Sequence, residues 1–372
     1  MDDSGTSDAW RGKGAPLRAV PRVTETHDRR EINKRTVIRS KAPLRLSFAG
    51  GGTDIPQYYT EHGGAVLSTT INRYSYVTLY PRDDKEIRIR SMDVGTIVSY
   101  GVDQEPVFDG VLDLAKAAIR RMGVDAGFEL DVYTEAPRGS GLGGSSAVTS
   151  AILGAVREYT GVLLDAYEMS ELNYSIERLD LAIPGGKQDQ YATTFGGFNL
   201  ISFRNDRVLV TPLRIDKDIL NDLEAHLMLC YTGQVRLRLG LVEAQLRYFE
   251  EKRPATVEAM KRVHEQSYMM MEVLLRGRLT RFGELLDEAY QAKKEMNPHV
   301  SDANIDEMYG IAKQQGALGG KLCGAGGGGY LLLYVPGAKQ HDVRKALEAA
   351  GGQIASFAFE DRGTQTWRSR CL

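Results

Sequence analysis

A glycine-rich segment followed by two serines, PRGSGLGGSS at residues 137–146, has the composition of a phosphate-binding loop. Glycines let the backbone approach a ligand closely because they carry no Cβ atom. The segment leads into a predicted helix, and the free N–H groups at a helix start attract an anion. The two serine hydroxyls can also reach a phosphate or its Mg²⁺. We therefore predict a nucleotide phosphate site made by Pro137, Gly139, Ser140, Gly141, Leu142, Gly143, Gly144, Ser145 and Ser146.

Two phosphate chemistries fit this segment. Gly139, Gly141 and Gly144 satisfy the GxGxxG pattern of dinucleotide-binding folds, and Asp165 lies about twenty residues further on. A position in mid-domain and two hydroxyls at the helix start favour a metal-bound nucleotide instead. A Walker loop is excluded, because no Gly-Lys-Ser or Gly-Lys-Thr follows the glycines. A kinase that uses ATP and Mg²⁺ is preferred, and an NAD(P)-dependent oxidoreductase is the alternative.

Charged residues flank a second glycine turn, RLSFAGGGTD at residues 45–54. Arg45 precedes the glycines, and Thr53 and Asp54 follow them, where their oxygens can hydrogen-bond a sugar hydroxyl. A third glycine-rich segment, residues 324–329, would let its backbone approach a ligand or another loop. Three such segments in one chain favour a shared cleft for nucleotide and substrate.

The region after the phosphate loop carries the candidates for catalysis. Phosphoryl transfer needs a carboxylate near the attacking hydroxyl and cations around the phosphate. Asp189 with Lys187 or Arg45 meets that need, since residues 184–186 form a Pro-Gly-Gly loop suited to a cleft. Glu177, on a helix predicted over residues 166–181, can complete a Mg²⁺ site, which prefers oxygen ligands. These acidic residues argue against a catalytically silent nucleotide-binding protein.

The elements that position these residues form an α+β pattern over two domains. A chain of 372 residues exceeds the size at which one hydrophobic core usually stops growing. Residues 1–35 lack hydrophobic periodicity and are predicted to be a flexible N-terminal tail. Residues 36–210 mix strands and helices around the phosphate loop. Residues 211–372 are mainly helical until an apolar strand, a helix and a last strand over residues 353–359 complete a second α+β domain.

Composition limits the partners of the chain. A net charge of −2 gives no reason to expect nucleic acid or an anionic membrane, so local positive groups must hold an anionic ligand. No apolar run reaches the roughly 18–20 residues of a membrane span. Three cysteines without metal-ligand spacing suit a reducing cytoplasm. We expect a cytoplasmic enzyme acting on small molecules, and the residues leave open whether it is a monomer or a homo-oligomer.

Three motifs in order, APLRLSFAGGGTD, PRGSGLGGSSA and KLCGAGGGG, resemble those of the GHMP kinases, which include galactokinase, homoserine kinase, mevalonate kinase and phosphomevalonate kinase. The resemblance runs from about residue 36 to the C-terminus. It implies a two-domain α+β fold with the active site between the domains. The N-terminal domain would resemble domain 2 of ribosomal protein S5, and the C-terminal domain would be ferredoxin-like. ATP and Mg²⁺ are the implied cofactors.

Within the family, the runs LSFAGGGTD, GSGLGGSS, IERLDL, GGKQDQYA and GAGGGG are similar to those of D-glycero-D-manno-heptose 7-phosphate kinases. The likeness implies transfer of the γ-phosphate of ATP to the anomeric C1 hydroxyl of that sugar phosphate. The product, a heptose 1,7-bisphosphate, would supply nucleotide-activated heptose for surface polysaccharide. A kinase for another sugar, galactose-like or fucose-like, is the alternative within this class.

The resemblance also implies roles for individual residues. Asp189 falls at the position of the catalytic aspartate, Glu177 at that of a magnesium-binding glutamate, and Arg45 at that of an arginine that assists transfer. Gly144 stands where many members carry a first serine, so Ser145 is the preferred serine ligand of Mg²⁺ and Ser146 the alternative. Lys187 is a further catalytic candidate. The expected substrate contacts are Gly51, Gly52, Thr53, Asp54, Gln188, Arg236, Gly326 and Gly327, with Arg236 placed toward the 7-phosphate.

Overall fold

The computed structural model describes residues 36–205, 207–235 and 240–370, with no side chains described at residues 234 and 235. The predicted tail, residues 1–35, and the proposed phosphate contact Arg236 lie outside these ranges. Among the residues that the structure does describe, no helix is both long enough and apolar enough to cross a membrane.

Strands and helices alternate through the first half of the described chain, and helices dominate the second half. The strands are β1 (Thr36–Ala49), β2 (Gly64–Pro81), β3 (Glu86–Ser91), β4 (Thr96–Gly101), β5 (Phe128–Thr134), β6 (Asn199–Arg204), β7 (Arg207–Pro212), β8 (Leu227–Val235), β9 (Gly319–Leu322), β10 (Gly328–Tyr334), β11 (Gln353–Ala355), β12 (Phe359–Glu360) and β13 (Gln365–Arg370). The helices are α1 (Pro56–His62), α2 (Asp113–Met122), α3 (Gly144–Thr160), α4 (Ala166–Ser175), α5 (Gln188–Phe195), α6 (Lys217–His226), α7 (Leu241–Glu250), α8 (Pro254–Leu275), α9 (Leu279–Met296), α10 (Ala303–Gln314) and α11 (Gln340–Ala349).

The larger sheet has nine strands, and its main path runs β13-β1-β2-β5-β3-β4. Strands β6 and β12 pair with β2, and β7 pairs with β6. The β3–β5 pair is parallel, whereas β1 lies antiparallel to both β2 and β13. Strand β1 therefore has neighbours on both sides, and its apolar side chains Leu44, Leu46 and Phe48 are fully buried. This burial fixes the strand that carries Arg45.

The smaller sheet has four antiparallel strands in the order β11-β8-β10-β9. Helix α9 joins two cores: Phe282, Leu285 and Leu286 enter the main hydrophobic cluster, whereas Ala292 and Met296 enter a cluster with Tyr58 of α1. A helix anchored at both ends by apolar contacts holds its polar side chains in fixed positions.

The last strands of the chain return to the larger sheet. The segment predicted as one strand over residues 353–359 is divided: β11 belongs to the smaller sheet, and β12 pairs with β2. The following strand β13 pairs with Thr36–Lys41 of β1, although the sequence predicted no strand there. Its residues QTWRSR are mostly polar and partly exposed, so no apolar alternation marked the strand. Residues 359–370 therefore complete the first sheet rather than the second domain, and the boundary at residue 210 stays a prediction.

Candidate active site

The phosphate loop, residues 137–146, turns between β5 and α3 with left-handed glycines. Gly139, Gly141 and Gly143 have φ of +71°, +78° and +75°, a region that favours glycine. Helix α3 begins at Gly144 without a side-chain cap, so its first backbone N–H groups are left for a ligand. The predicted anion-binding helix start is therefore present.

The third glycine segment packs directly against this loop. A Cβ atom added at Gly141 would collide with the carbonyl oxygen of Cys323, and one at Gly324 would lie 2.5 Å from the Cα of Gly141. The backbone N–H of Tyr330 donates to the Ser140 carbonyl at 3.2 Å. The segment therefore packs against the phosphate loop, which is one of the two roles that the sequence left open for it. Two of the predicted substrate contacts lie beside Val300: Gly327 donates its N–H to the Val300 carbonyl at 2.8 Å, and Gly326 has no room there for a Cβ.

Arg45 and Asp189 form a bidentate ion pair beside the phosphate loop. Nε of Arg45 donates to Oδ1 of Asp189 at 2.7 Å, and Nη2 donates to Oδ2 at 2.9 Å. Nη1 of Arg45 donates to the Gly141 carbonyl, and the backbone N–H of Arg45 donates to the Leu142 carbonyl at 2.9 Å. The Arg45 side chain is 4% exposed and that of Asp189 is 21% exposed, so the carboxylate is the more accessible partner of the pair. The two charges predicted for catalysis are therefore brought together.

Glu177 lies at the centre of a buried polar cluster. Its carboxylate accepts a hydrogen bond from Ser146 Oγ at 2.9 Å and one from Gln190 Nε2 at 2.6 Å. Arg178 Nη1 lies 3.0 Å from the same carboxylate. Burial raises the pKa of Glu177, and the adjacent Arg178 charge acts in the opposite direction. This cluster supplies carboxylate and hydroxyl oxygens, and the amide oxygen of Gln190 has no partner among the described residues.

The structure brings Ser146, and not the preferred Ser145, against Glu177. Helix α3 starts at Gly144, which places Ser145 on the exposed side of the first turn and Ser146 on the buried side. A Cβ atom added at Gly144 would lie 3.0 Å from the Cβ of Ala136, so a serine there would be tight. The serine in contact with Glu177 is therefore the alternative, Ser146, and the choice of the serine that binds Mg²⁺ stays a prediction.

Asp54 closes the first glycine turn and is almost fully buried, at 2% exposure. It accepts hydrogen bonds from the backbone N–H groups of Gly52 at 2.9 Å and Gln188 at 3.0 Å. Burial raises the pKa of its carboxyl group, and the two backbone hydrogen bonds oppose that rise. These contacts join the first motif to the start of α5, where Asp189 follows Gln188.

One predicted substrate contact, Thr53, serves the protein itself. The hydroxyl of Thr53 donates to the Gly50 carbonyl at 2.8 Å and accepts from the Ala65 N–H at 3.2 Å, and Thr53 is fully buried. The hydroxyl therefore fixes the turn and is not presented to a sugar.

Lys187 pairs with Glu171 instead of Asp189. Its Nζ donates to the two carboxylate oxygens of Glu171 at 2.8 and 2.9 Å, and it lies 4.6 Å from the ring centre of Tyr174. This ion pair ties the start of α5 to α4. Lys187 therefore positions the segment that carries Asp189, and the structure does not place its ammonium group on that carboxylate.

Asp165, the residue that completed the dinucleotide pattern, caps helix α4. Its side chain accepts from the Glu168 N–H at 2.8 Å, and the Glu168 side chain accepts from the Asp165 N–H at 2.9 Å. This reciprocal arrangement is a capping box. Helix α3 is followed by α4 and not by a parallel strand, so the βαβ unit of a dinucleotide site is missing from this part of the described chain.

Two lysines that lie near the phosphate loop were not identified from the sequence. Lys321, on β9, donates to the Ser47 carbonyl at 2.6 Å, and burial lowers its pKa to about 7. Lys293, near the end of α9, donates to the Gly324 carbonyl, and burial lowers its pKa to about 8. Lys321 begins the KLCGAGGGG motif, which was a usable signal. Lys293 has the sequence surroundings of an ordinary surface lysine.

Comparison with known proteins gives concordant matches over most of the chain. The family model for the GHMP kinases N terminal domain matches residues 110–197, and that for GHMP kinases C terminal matches residues 270–353. The chain is 37% identical over 337 residues to a D-glycero-alpha-D-manno-heptose 7-phosphate kinase of Campylobacter jejuni, with 89% of this chain and 99% of the relative covered.

Two crystal structures are similar in both sequence and fold. One is a D-glycero-D-manno-heptose 1-phosphate kinase from Bacteroides thetaiotaomicron, with 34% identity, a TM-score of 0.75 and coverage of 89% of this chain and 98% of that one. The other is a putative sugar kinase from Campylobacter jejuni, with 36% identity, a TM-score of 0.75 and coverage of 91% and 99%.

Proposed function

The chain belongs to the GHMP kinase family, and we propose on that premise that it transfers the γ-phosphate of ATP to the anomeric C1 hydroxyl of D-glycero-D-manno-heptose 7-phosphate. The family and its two-domain α+β fold were predicted from the three motifs, and both predictions are confirmed. The product would be a heptose 1,7-bisphosphate, used for nucleotide-activated heptose and surface polysaccharide. We place the reaction in the cytoplasm, because the three cysteines suit a reducing compartment.

The ion pair between Arg45 and Asp189 is the observation that carries this proposal. A carboxylate held by two hydrogen bonds has a fixed orientation, and it adjoins a loop whose N–H groups suit nucleotide phosphates. In the proposed reaction Asp189 orients the C1 hydroxyl and accepts its proton, while Arg45 lowers the charge at the transferring phosphoryl group. An anomeric hydroxyl is fairly acidic, so positioning contributes as much as basicity.

Mg²⁺ fits the donor set around Glu177. Ser146 Oγ, the Glu177 carboxylate and the unpartnered amide oxygen of Gln190 are hard oxygen ligands of the kind that Mg²⁺ prefers. When bound, the ion would neutralise charge on the nucleotide phosphates. We propose Ser146 and Glu177 as its protein ligands, with Ser145 facing the phosphates from the exposed side of α3.

A polar patch around Gly51 suits the hydroxyls of a sugar acceptor. A Cβ atom added at Gly51 would lie 3.5 Å from Gln188 Nε2 and 3.7 Å from Ser47 Oγ. Ser47 Oγ and Gln188 Oε1 are buried without a hydrogen-bond partner among the described residues. Buried polar atoms are rarely left unpaired, so a hydroxylated ligand is a natural partner for these two. Asp54 lies next to this patch through its bonds to Gln188.

A coupled assay of ADP release tests the proposal. The acceptors are heptose 7-phosphate, heptose 1-phosphate, free heptose, galactose and fucose, and phosphorus NMR then identifies the phosphorylated carbon. We expect the highest kcat/KM with heptose 7-phosphate and a new phosphate at C1. Preference for heptose 1-phosphate, the substrate class named for the Bacteroides structure, would overturn the assignment of C1 as the acceptor. Preference for galactose or fucose would overturn the heptose assignment.

A further inference from the structure

Lys293 lies beside the third glycine segment, which packs against the phosphate loop. Its Nζ donates to the carbonyl of Gly324, and Gly324 packs on Gly141 with no room for a Cβ between the two backbones. Helix α9, which carries Lys293, is fixed by buried apolar residues on both sides of this position. The ammonium group of Lys293 is therefore held near the phosphate loop.

The cations around the cleft differ in whether a carboxylate neutralises them. Arg45 pairs with Asp189, Arg178 with Glu177 and Lys187 with Glu171. No Asp or Glu of the described ranges forms an ion pair with Lys293, although its side chain is partly exposed and can meet a ligand. Lys321 also has no carboxylate partner in those ranges, but it is 4% exposed and enclosed behind Ser47.

A partly buried lysine that has no carboxylate partner is stabilised when an anion binds beside it. Burial lowers the pKa of Lys293 to about 8, so the group is mostly charged at neutral pH. The like charges of Arg45 and Lys321 disfavour the protonated form of Lys293. The carboxyl group of Asp54 and the thiol of Cys323 favour that form. One of its three N–H donors is used by the Gly324 carbonyl, which leaves two for a ligand. An unneutralised, desolvated cation beside a phosphate loop is compensated when anionic oxygens arrive.

We propose that Lys293 is a catalytic residue that contacts the phosphoryl group in transfer, opposite Arg45 and from the C-terminal part of the chain. The inference rests on the proposed kinase reaction and adds a second cation to it. In the proposed reaction the phosphoryl group passes between the phosphate loop and the Asp189 carboxylate. Lys293 would approach it from the Gly324 side, where its ammonium group is close enough to Arg45 and Asp54 to interact with both charges. Lys293 would stabilise the negative charge that develops on the phosphoryl oxygens. Its side chain is already held in place, so little conformational entropy is lost in the transition state.

The test compares K293M and K293R with K294M. Lys294 is the matched control, because it is the next residue on α9 but pairs with Asp306 at 3.2 Å. We expect kcat to fall roughly 100- to 1,000-fold in K293M, with partial recovery in K293R and a change below about twofold in K294M. The KM for the acceptor should change by less than about threefold. Thermal unfolding and Mg-ATP binding by calorimetry establish that each variant is folded.

The pH profile gives a readout that a structural role would not move. The kcat/KM of the wild type should fall as pH rises through about 8, and K293R should extend activity to higher pH. Equal kcat in K293M and K294M would overturn the inference. So would a defect limited to the KM of acceptors that carry their own phosphate, because Lys293 would then bind that phosphate. If the wild type uses another sugar, the heptose proposal fails, and the same variants are measured with that sugar.

Discussion

The guanidinium of Arg45 and the carboxylate of Asp189 meet through two hydrogen bonds, of 2.7 and 2.9 Å, although 144 positions separate them in the chain. Strand β1 supplies the arginine and helix α5 the aspartate. The same guanidinium also donates to Gly141 of the phosphate loop. One side chain thus sets the distance between the phosphate loop and the carboxylate that we propose to orient the acceptor. A bidentate pair of this kind resists rotation of either partner.

Replacing Asp189 with Asn should reduce kcat by about 10²–10⁴-fold, because the side chain keeps its size but cannot accept a proton. Binding of Mg-ATP, measured by calorimetry, should stay within about threefold of the wild type. Coupled ADP release measures kcat. Turnover near the wild-type rate in D189N would remove Asp189 from the proposed chemistry.

Ser146→Ala and Ser145→Ala separate the two candidate serines. Ser146 donates to the buried Glu177, whereas Ser145 is exposed at the start of α3. We expect S146A to raise the Mg²⁺ concentration for half-maximal activity roughly 10- to 100-fold, and S145A to change it much less. The measurement is a titration of activity with Mg²⁺ at fixed ATP. A larger rise in the required Mg²⁺ concentration for S145A than for S146A would favour Ser145, the serine preferred from the sequence, as the ligand of Mg²⁺.

Gly141→Ala should weaken both folding and nucleotide binding. The added methyl group would collide with the Cys323 carbonyl in a backbone with φ of +78°. Gly95→Ala is the control, because Gly95 has φ of +69° but open space around it. We expect G141A to cost roughly 1–3 kcal/mol more than G95A in the free energy of unfolding. Urea unfolding gives this difference, and equal losses would show that the two glycine segments do not press together.

Lys321→Met should change how stability depends on pH. The folded-state pKa of Lys321 is about 7, below the ordinary lysine value of 10.5, so the unfolded chain binds the proton more tightly. The wild type should therefore lose stability relative to K321M as pH falls from about 10.5 to about 7, with a constant difference below that range. Urea unfolding of both proteins at several pH values provides the comparison. A difference that does not vary with pH would contradict burial of a neutralised lysine.

Much of the candidate site could be located from the sequence because its residues lie in short motifs. The phosphate loop, Arg45, Asp54, Glu177 and Asp189 were each identified from local sequence. Runs of glycine, and polar residues within apolar segments, indicate local features such as a left-handed turn or an anion site at a helix start. The sequence also indicated the strand β1 and the helix α3 that position the first two of these sites.

Residues whose partners are distant in sequence were assigned less well. Thr53 and Lys187 carry the right functional groups, but the fold directs the first to Gly50 and the second to Glu171. A hydrogen-bonding side chain has many possible partners, and the motif does not say which of them the tertiary structure brings near. Lys293 was not identified from the sequence, because its hydrogen-bond partner Gly324 belongs to the third motif and not to α9.

By itself, the sequence determined the family, and it located the candidate phosphate loop and the charged residues proposed for the site. The tertiary structure decided which serine meets Glu177, because that choice depends on where α3 begins and how the π-helical turn Ile176–Asp180 presents the glutamate. It also decided that β13 closes the first sheet beside β1. Both outcomes are set by packing between segments far apart in the chain, and local residue patterns carry little information about such contacts.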